Sequence, residues 1–167
     1  MDTFELIRTR RSIRKFTDKY VPEDIINKII EAGTWAPSGL NNQPWRFAVI
    51  REETIKAEIS ELTHYSRVVV DSNALIAVFL DNSASYDRTK DCQAVGACIQ
   101  NMLLYIHSLS LGAVWLGEIL KNKDRVLELV GGSRELELMA VIALGYPATE
   151  GNKPSRNPLS ETVIFRK

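Results

Sequence analysis

Four cations and a hydroxyl fall within six residues in the run Arg10-Arg11-Ser12-Ile13-Arg14-Lys15-Phe16, with Arg8 just ahead of it. The chain as a whole carries 21 basic and 21 acidic side chains and no formal net charge, so this is a local concentration. Arginine suits a phosphate because its planar fork donates paired, charge-assisted hydrogen bonds, and a serine hydroxyl can meet a remaining oxygen. The run therefore reads as an anion site. The same composition also suits a solvated basic turn behind a short N-terminal helix.

A second segment, Trp35-Ala36-Pro37-Ser38-Gly39-Leu40-Asn41-Asn42-Gln43-Pro44-Trp45, is stiffened by two prolines. Ser38, Asn41, Asn42 and Gln43 supply donors and acceptors, so a rigid polar loop between tryptophans could read the edge of a planar heterocycle. A plain helix-to-strand connection has the same composition.

Other chemistries find little footing. No Gly-x-Gly-x-x-Gly, P-loop or Gly-x-Ser-x-Gly pattern occurs. Cys92 and Cys98 are six apart on what reads as a helix, without a Cys-x-x-Cys pair, and are expected to be small core residues in a reducing compartment. His64 and His107 are isolated, so no protein-bound metal is expected. A nucleic-acid binder would need an excess of positive charge that the chain lacks.

The elements that must hold these residues follow from periodicity. Ile25, Ile26, Ile29 and Ile30 predict a helix from Pro22 to about Trp35, with Pro22 at its first position. Trp45 to Ile50 predicts a strand, Glu53 to Leu62 a helix, and the continuous apolar run Ala74 to Leu80 a strand buried on both faces. The longest helix is expected over residues 91 to 110. Gln93, Gln100 and His107 form one polar stripe on it, so nearly all of its surface should be buried in the core or a subunit interface. Leu111 to Leu116 and Leu138 to Leu144 are further strands, separated by a helix from Lys123 to Val130. After Pro147 an extended arm carries few core residues. The 167 residues suit one domain of mixed helix and strand, α/β or α+β.

Together the two polar segments resemble the nitroreductase family of FMN enzymes, which bind flavin through an Arg-x-Ser-x-Arg/Lys stretch and a Pro-Ser-x-x-Asn-x-Gln-Pro-Trp loop. The likeness runs through Gln100-Asn101-Met102-Leu103-Leu104, Leu111 to Gly117, Leu144-Gly145-Tyr146-Pro147 and Arg156-Asn157-Pro158-Leu159. It implies an α+β domain over residues 1–167, with a central mixed sheet, flanking helices and a C-terminal arm. It further implies that Arg10 and Ser12 hold the FMN phosphate and ribityl chain, and that Arg156 arrives from the arm to complete the clamp. Arg11 would add backbone contacts. Arg14 would lie by the pyrimidine edge, where a cation stabilises reduced flavin.

In the family, Pro37, Ser38, Gly39 and Asn41 would reach the flavin of the other subunit in a homodimer. Leu116 and Gly117 would pass beside the central ring, with a backbone N–H directed at N5. The chain is shorter than many members and lacks the helical insertion that often covers the site. Ser66 falls near where some members place a pyrimidine-contacting asparagine. The activity implied is electron transfer from NADH or NADPH through FMN to nitroaromatic, quinone or flavin acceptors, in alternating half-reactions with no catalytic side chain. Two other outcomes are a flavin-binding sensor without turnover and a specialised offshoot that dehalogenates aromatics or degrades flavin. An acidic N-terminus and no apolar run long enough for a bilayer predict a cytoplasmic protein with no membrane partner.

Overall fold

The apolar run forms a central strand, β2 (Ala74–Asp81), buried at every residue in the computed structural model, which describes residues 2–167. Its burial has a simple cause: alternate side chains enter two different cores. Ala74, Ile76, Val78 and Leu80 face a helical layer of α2 (Glu23–Thr34) and α5 (Arg88–Ser108), where Ile26, Ile29, Cys98 and Met102 meet them. Leu75, Ala77 and Phe79 face α3 (Glu53–Ser60), α4 (Ser66–Asp71) and α6 (Lys123–Leu129), against Ile59, Val68, Val69 and Val126. Each large aliphatic or aromatic side chain so buried stabilises the fold by about 1.5–3 kcal/mol.

β2 is flanked by β1 (Trp45–Ile50) and β4 (Leu136–Gly145), and β3 (Gly112–Leu116) forms the other edge, in the order β1-β2-β4-β3. All three pairings are antiparallel. The mixed direction expected of the sheet is confined to one parallel bridge, Ser12 to Ala113, where the Ile13 N–H donates to the Ala113 carbonyl at 2.9 Å. The chain then crosses the end of β4, bridging Phe16 to Pro147. Gly112 permits this crossing, since a Cβ there would come within 2.7 Å of Ile13 Cβ.

Several boundaries differ from expectation. Pro22 is the N-cap of α2, not its first helical residue. The longest helix starts at Arg88, where the Asp87 carboxylate caps it by accepting the Lys90 N–H at 3.0 Å, and ends at Ser108. One side of α5 packs in the core, but Gln93 and Gln100 are exposed and Gly96, Ala97 and Leu104 are only half-buried in the protomer. The helix α4 is additional. Cys98 is buried, which pushes its thiol up to about 12, and Cys92 is half-buried; neither forms a disulfide.

Ahead of the bridge lies α1 (Thr3–Thr9), capped by Asp2 and without a buried residue; Phe4 and Ile7 are exposed. The arm after Pro147 is exposed along most of its length and contains one short helix, α7 (Leu159–Thr162), followed by exposed Val163, Ile164 and Phe165. Among the described residues, no helix is long and apolar enough to cross a membrane.

Candidate flavin site

Arg10 leaves the end of α1 half-buried, with its own N–H donating to the Leu6 carbonyl at 3.2 Å. Burial holds its guanidinium below the ordinary arginine range, and the charges of Arg11 and Arg156 push it further in the same direction. Among the described residues, no carboxylate lies within ion-pair distance of Arg10, Arg11, Arg14 or Arg156. Cations gathered without a counter-charge repel one another, and an anion is what relieves them.

Arg11 has a different task from its neighbour. Its Nη1 donates to the carbonyls of Arg8 and Arg10, both at 2.7 Å, and so closes the C-terminus of α1. Ser12 follows at the bridge to Ala113. Arg14 is exposed, and exposed Arg156 donates from Nη1 to the Ser155 carbonyl at 2.6 Å. The arm passes so close over Arg11 that a Cβ at Gly151 would collide with the Arg11 side chain. A cavity of about 870 Å³ opens between arm and body, lined by Thr9, Arg11, Ile13, His107, Ser110 and residues 147–154.

His107, isolated in the sequence, joins this cluster from the C-terminal end of α5. Its Nε2 lies 2.9 Å from Thr9 Oγ1. Burial lowers its pKa, and the charges of Arg10 and Arg11 lower it further.

At the far end of β3, Leu116 is buried and Gly117 is exposed. Gly117 has φ −98° and ψ −23°, which any residue can adopt, and a Cβ added there would find only Trp115 Nε1, at 3.9 Å. The protomer itself does not demand glycine at this point. Among the described residues, no protein acceptor takes the Gly117 N–H. The next residue, Glu118, ties the α3–α4 connection to the end of β3: its Oε2 accepts from Thr63 Oγ1 at 2.8 Å and the His64 N–H at 3.2 Å. Hydrogen bonds from Lys121 and Thr63, aided by the His64 N–H, outweigh burial and hold the Glu118 pKa at about 2.

The polar loop ahead of β1 is strained. Leu40 and Asn41 have φ 55° and Gln43 has φ 46°, each costing on the order of 1–3 kcal/mol for a non-glycine residue. Ser38 Oγ accepts the Gln43 N–H at 3.0 Å, and Asn42 Nδ2 donates to the Ala84 carbonyl at 3.0 Å and to Asp91 Oδ1 at 2.7 Å. Gly39 has a local reason to be glycine, because the Tyr86 hydroxyl occupies the space a Cβ would take. Pro37, Asn41, Trp35 and Leu40 are exposed.

One protomer thus sets Arg10 and Ser12 at the head of β3, with Arg156 near enough for its charge to act on Arg10, and Leu116 and Gly117 about 13 Å along that strand. It does not bring Pro37, Ser38, Gly39 and Asn41 to them. That loop leads into β1, the opposite edge of the sheet. The loop is tied to Asp91 near one end of α5, and Thr9, next to Arg10, meets His107 near the other, the two points separated by about 24 Å of helix.

The fold is shared with known proteins. The sequence model of the nitroreductase family matches residues 7–71 and 61–146. A solved structure from Desulfovibrio desulfuricans, described as a nitroreductase in complex with FMN, superposes with a TM-score of 0.94 at 44% identity, over 100% of this chain and 98% of that one. An archaeal relative from Methanothermobacter thermautotrophicus, named as an NADH dehydrogenase/NAD(P)H nitroreductase, is 40% identical over 89% of this chain and 78% of its own length. A Thermotoga neapolitana protein named iodotyrosine deiodinase is 30% identical over 96% of this chain and 95% of its own. The chain belongs to the nitroreductase family.

Proposed function

We propose that the chain is an FMN-dependent oxidoreductase that takes electrons from NADH or NADPH and passes them to a small aromatic, quinone or flavin acceptor, working as a homodimer with shared flavin sites. The observation that carries this reading is half-buried Arg10, next but one to Ser12 and within reach of the charge of Arg156, with no carboxylate in ion-pair distance among the described residues. A phosphate monoester meets that need, and the unused Gly117 N–H at the other end of β3 suits a ring atom of the same ligand.

When bound, FMN supplies the hydride-accepting and electron-donating chemistry. The chain's residues bind and orient. Arg10 and Arg156 would hold the phosphate, with Ser12 next to them at its bridge to Ala113 on β3. Arg14, exposed and without a carboxylate partner, is available to the electron-rich edge of the ring. Gly117 offers a backbone donor whose position is fixed by the strand before it and the Glu118 bonds after it.

The shared site is supported by the separation of the Pro37–Asn41 loop from the clamp within a protomer. It is also supported by the apolar surface left open on α1, at Trp35 and Leu40, and along the arm. Patches of that kind mark a protein interface.

The test is an anaerobic titration of FMN-loaded protein with NADH and NADPH, followed by a screen of nitroaromatics, quinones, free flavins and halogenated tyrosines. Rapid bleaching and reoxidation by at least one acceptor class is expected. A bound flavin that neither nucleotide reduces would leave a flavin-binding protein without turnover. Reoxidation by halotyrosine alone would assign the chain to dehalogenation, the activity in the name of its Thermotoga relative.

A further inference from the structure

Asp91 is a fully buried carboxylate with no cation in ion-pair distance among the described residues. It stands in the first turns of α5, and four neutral donors converge on it. Asn42 Nδ2 reaches Oδ1 at 2.7 Å; Ser85 Oγ, Tyr86 N–H and Asp87 N–H reach Oδ2 at 2.6, 3.0 and 3.1 Å. Burying a carboxylate costs several kcal/mol, and an apolar residue could fill a helix position at no such cost. The helix end does not require it either, since Asp87 already caps α5.

What Asp91 adds is a tie that leaves the helix. Through Asn42 it grips the centre of the Gly39–Gln43 stretch, whose non-glycine residues at 40, 41 and 43 lie in the left-handed region. Backbone strain of this kind persists only where surrounding contacts over-determine it. Bonds within the loop, such as Gln43 N–H to Ser38 Oγ, fix its curvature but not its position. The Asn42 bonds to Asp91 and the Ala84 carbonyl attach it to the protein body, and the same carboxylate orders the 85–87 turn that delivers Tyr86 against Gly39.

We infer that Asp91 is a positioning residue of the flavin site, holding the Leu40–Asn41 turn through Asn42 so that Ser38 and Asn41 meet the ring of a neighbouring protomer's flavin. The inference rests on the proposed contact of this loop with that flavin. Asp91 itself touches no ligand.

The test measures dissociation constants of FMN and riboflavin by fluorescence on apo protein, well below the unfolding temperature. Asn42→Ala and Asp91→Asn should each weaken both ligands by the same factor, about tenfold or more. The FMN-to-riboflavin ratio should stay fixed, because the phosphate end is untouched. Asn42→Asp should bind riboflavin poorly at neutral pH and recover as pH falls and the facing carboxyls share a proton. Asn42→Ala, which leaves three of the four bonds to Asp91 in place, reads the tie even if Asp91→Asn does not fold. Unchanged ligand constants in Asn42→Ala, with only a lower unfolding temperature, would overturn the inference. Ser38→Ala and Asn41→Ala separate it from the reading beneath it. If those two leave flavin affinity unchanged, the loop contact itself is wrong. If they weaken it while Asn42→Ala does not, the tie alone fails.

Discussion

The charge of Arg156, on the C-terminal arm, reaches Arg10 at the end of the first helix and adds to the burial and Arg11 repulsion that lower the Arg10 pKa. Two like charges brought from opposite ends of a chain destabilise the ligand-free protein. Their juxtaposition makes sense as half of an interaction whose other half is an anion.

Removing either partner should therefore weaken the phosphate contact and little else. Arg10→Ala and Arg156→Ala are each expected to weaken FMN binding by about 10- to 150-fold, the effect of one charge-assisted bond. Riboflavin should bind the wild type poorly and be nearly indifferent to both substitutions. Titration of apo protein with the two ligands decides it, and equal wild-type affinity for FMN and riboflavin would dispose of the clamp.

His107 gives the same cluster a pH signature. Its folded pKa lies below the ordinary 6.5, so between that folded pKa and about 6.5 the unfolded chain binds the proton that the folded chain refuses. The apo protein should lose stability as pH falls below about 6.5, with the loss complete below the folded pKa, and His107→Gln should abolish that component. A bound phosphate would offset the Arg10 and Arg11 charges but not the burial, so FMN should relieve part of the loss. Urea midpoints at pH 5 to 8, with and without FMN, test both halves; identical pH profiles for wild type and His107→Gln would contradict them.

Much of the frame was legible because periodicity reports burial. Trp45–Ile50 and the Ala74 run are strands as the pattern requires. The helix α4 was not legible: Arg67-Val68-Val69-Val70 carries β-branched residues that disfavour helix, and it is helical because Val68 and Val69 pack beneath the sheet with Ile59. Strand order and direction have no local signal. The site divides in the same way. A motif singles out Arg10, Ser12 and Gly117 as candidates, whereas the tie of Asn42 to Asp91 and the approach of His107 to Thr9 join distant positions and leave no spacing to read.

The proposed dimer can be checked directly. Light scattering at micromolar concentration should find two chains carrying two FMN, with Phe4, Ile7, Trp35, Leu40 and the apolar arm residues covered. A monomer that retains stoichiometric FMN would refute the shared site.

Acid should release the link behind Gly117. Glu118 has a folded pKa of about 2, below its unfolded value of about 4.3. Its stabilisation is therefore fully present above the unfolded pKa and lost as pH falls toward about 2. In Glu118→Gln, acid unfolding between pH 5 and 2 should be less steep than in the wild type. Superimposable acid transitions would remove this carboxylate from the account.

Gly117 offers the sharpest mechanistic test, because two substitutions there differ in whether the N–H is kept. The φ of −98° lies about 30° from the proline value, and Leu116 before it is in a strand, the conformation a residue preceding proline favours. Among the described residues the lost N–H has no protein acceptor, so Gly117→Pro breaks no hydrogen bond there. Gly117→Ala keeps the N–H and adds a methyl group into free space of the protomer. If that N–H stabilises charge developing on the ring, Gly117→Pro should slow flavin reduction by about a hundredfold or more in stopped-flow bleaching. Gly117→Ala should stay within a fewfold of wild type, provided both remain FMN-loaded. If a single flavin face serves donor and acceptor in turn, double-reciprocal plots at several acceptor concentrations should be parallel. Intersecting lines would require both substrates bound together. Equal bleaching rates in Gly117→Pro and Gly117→Ala would remove the N–H from hydride transfer and leave Gly117 as no more than clearance for the ring.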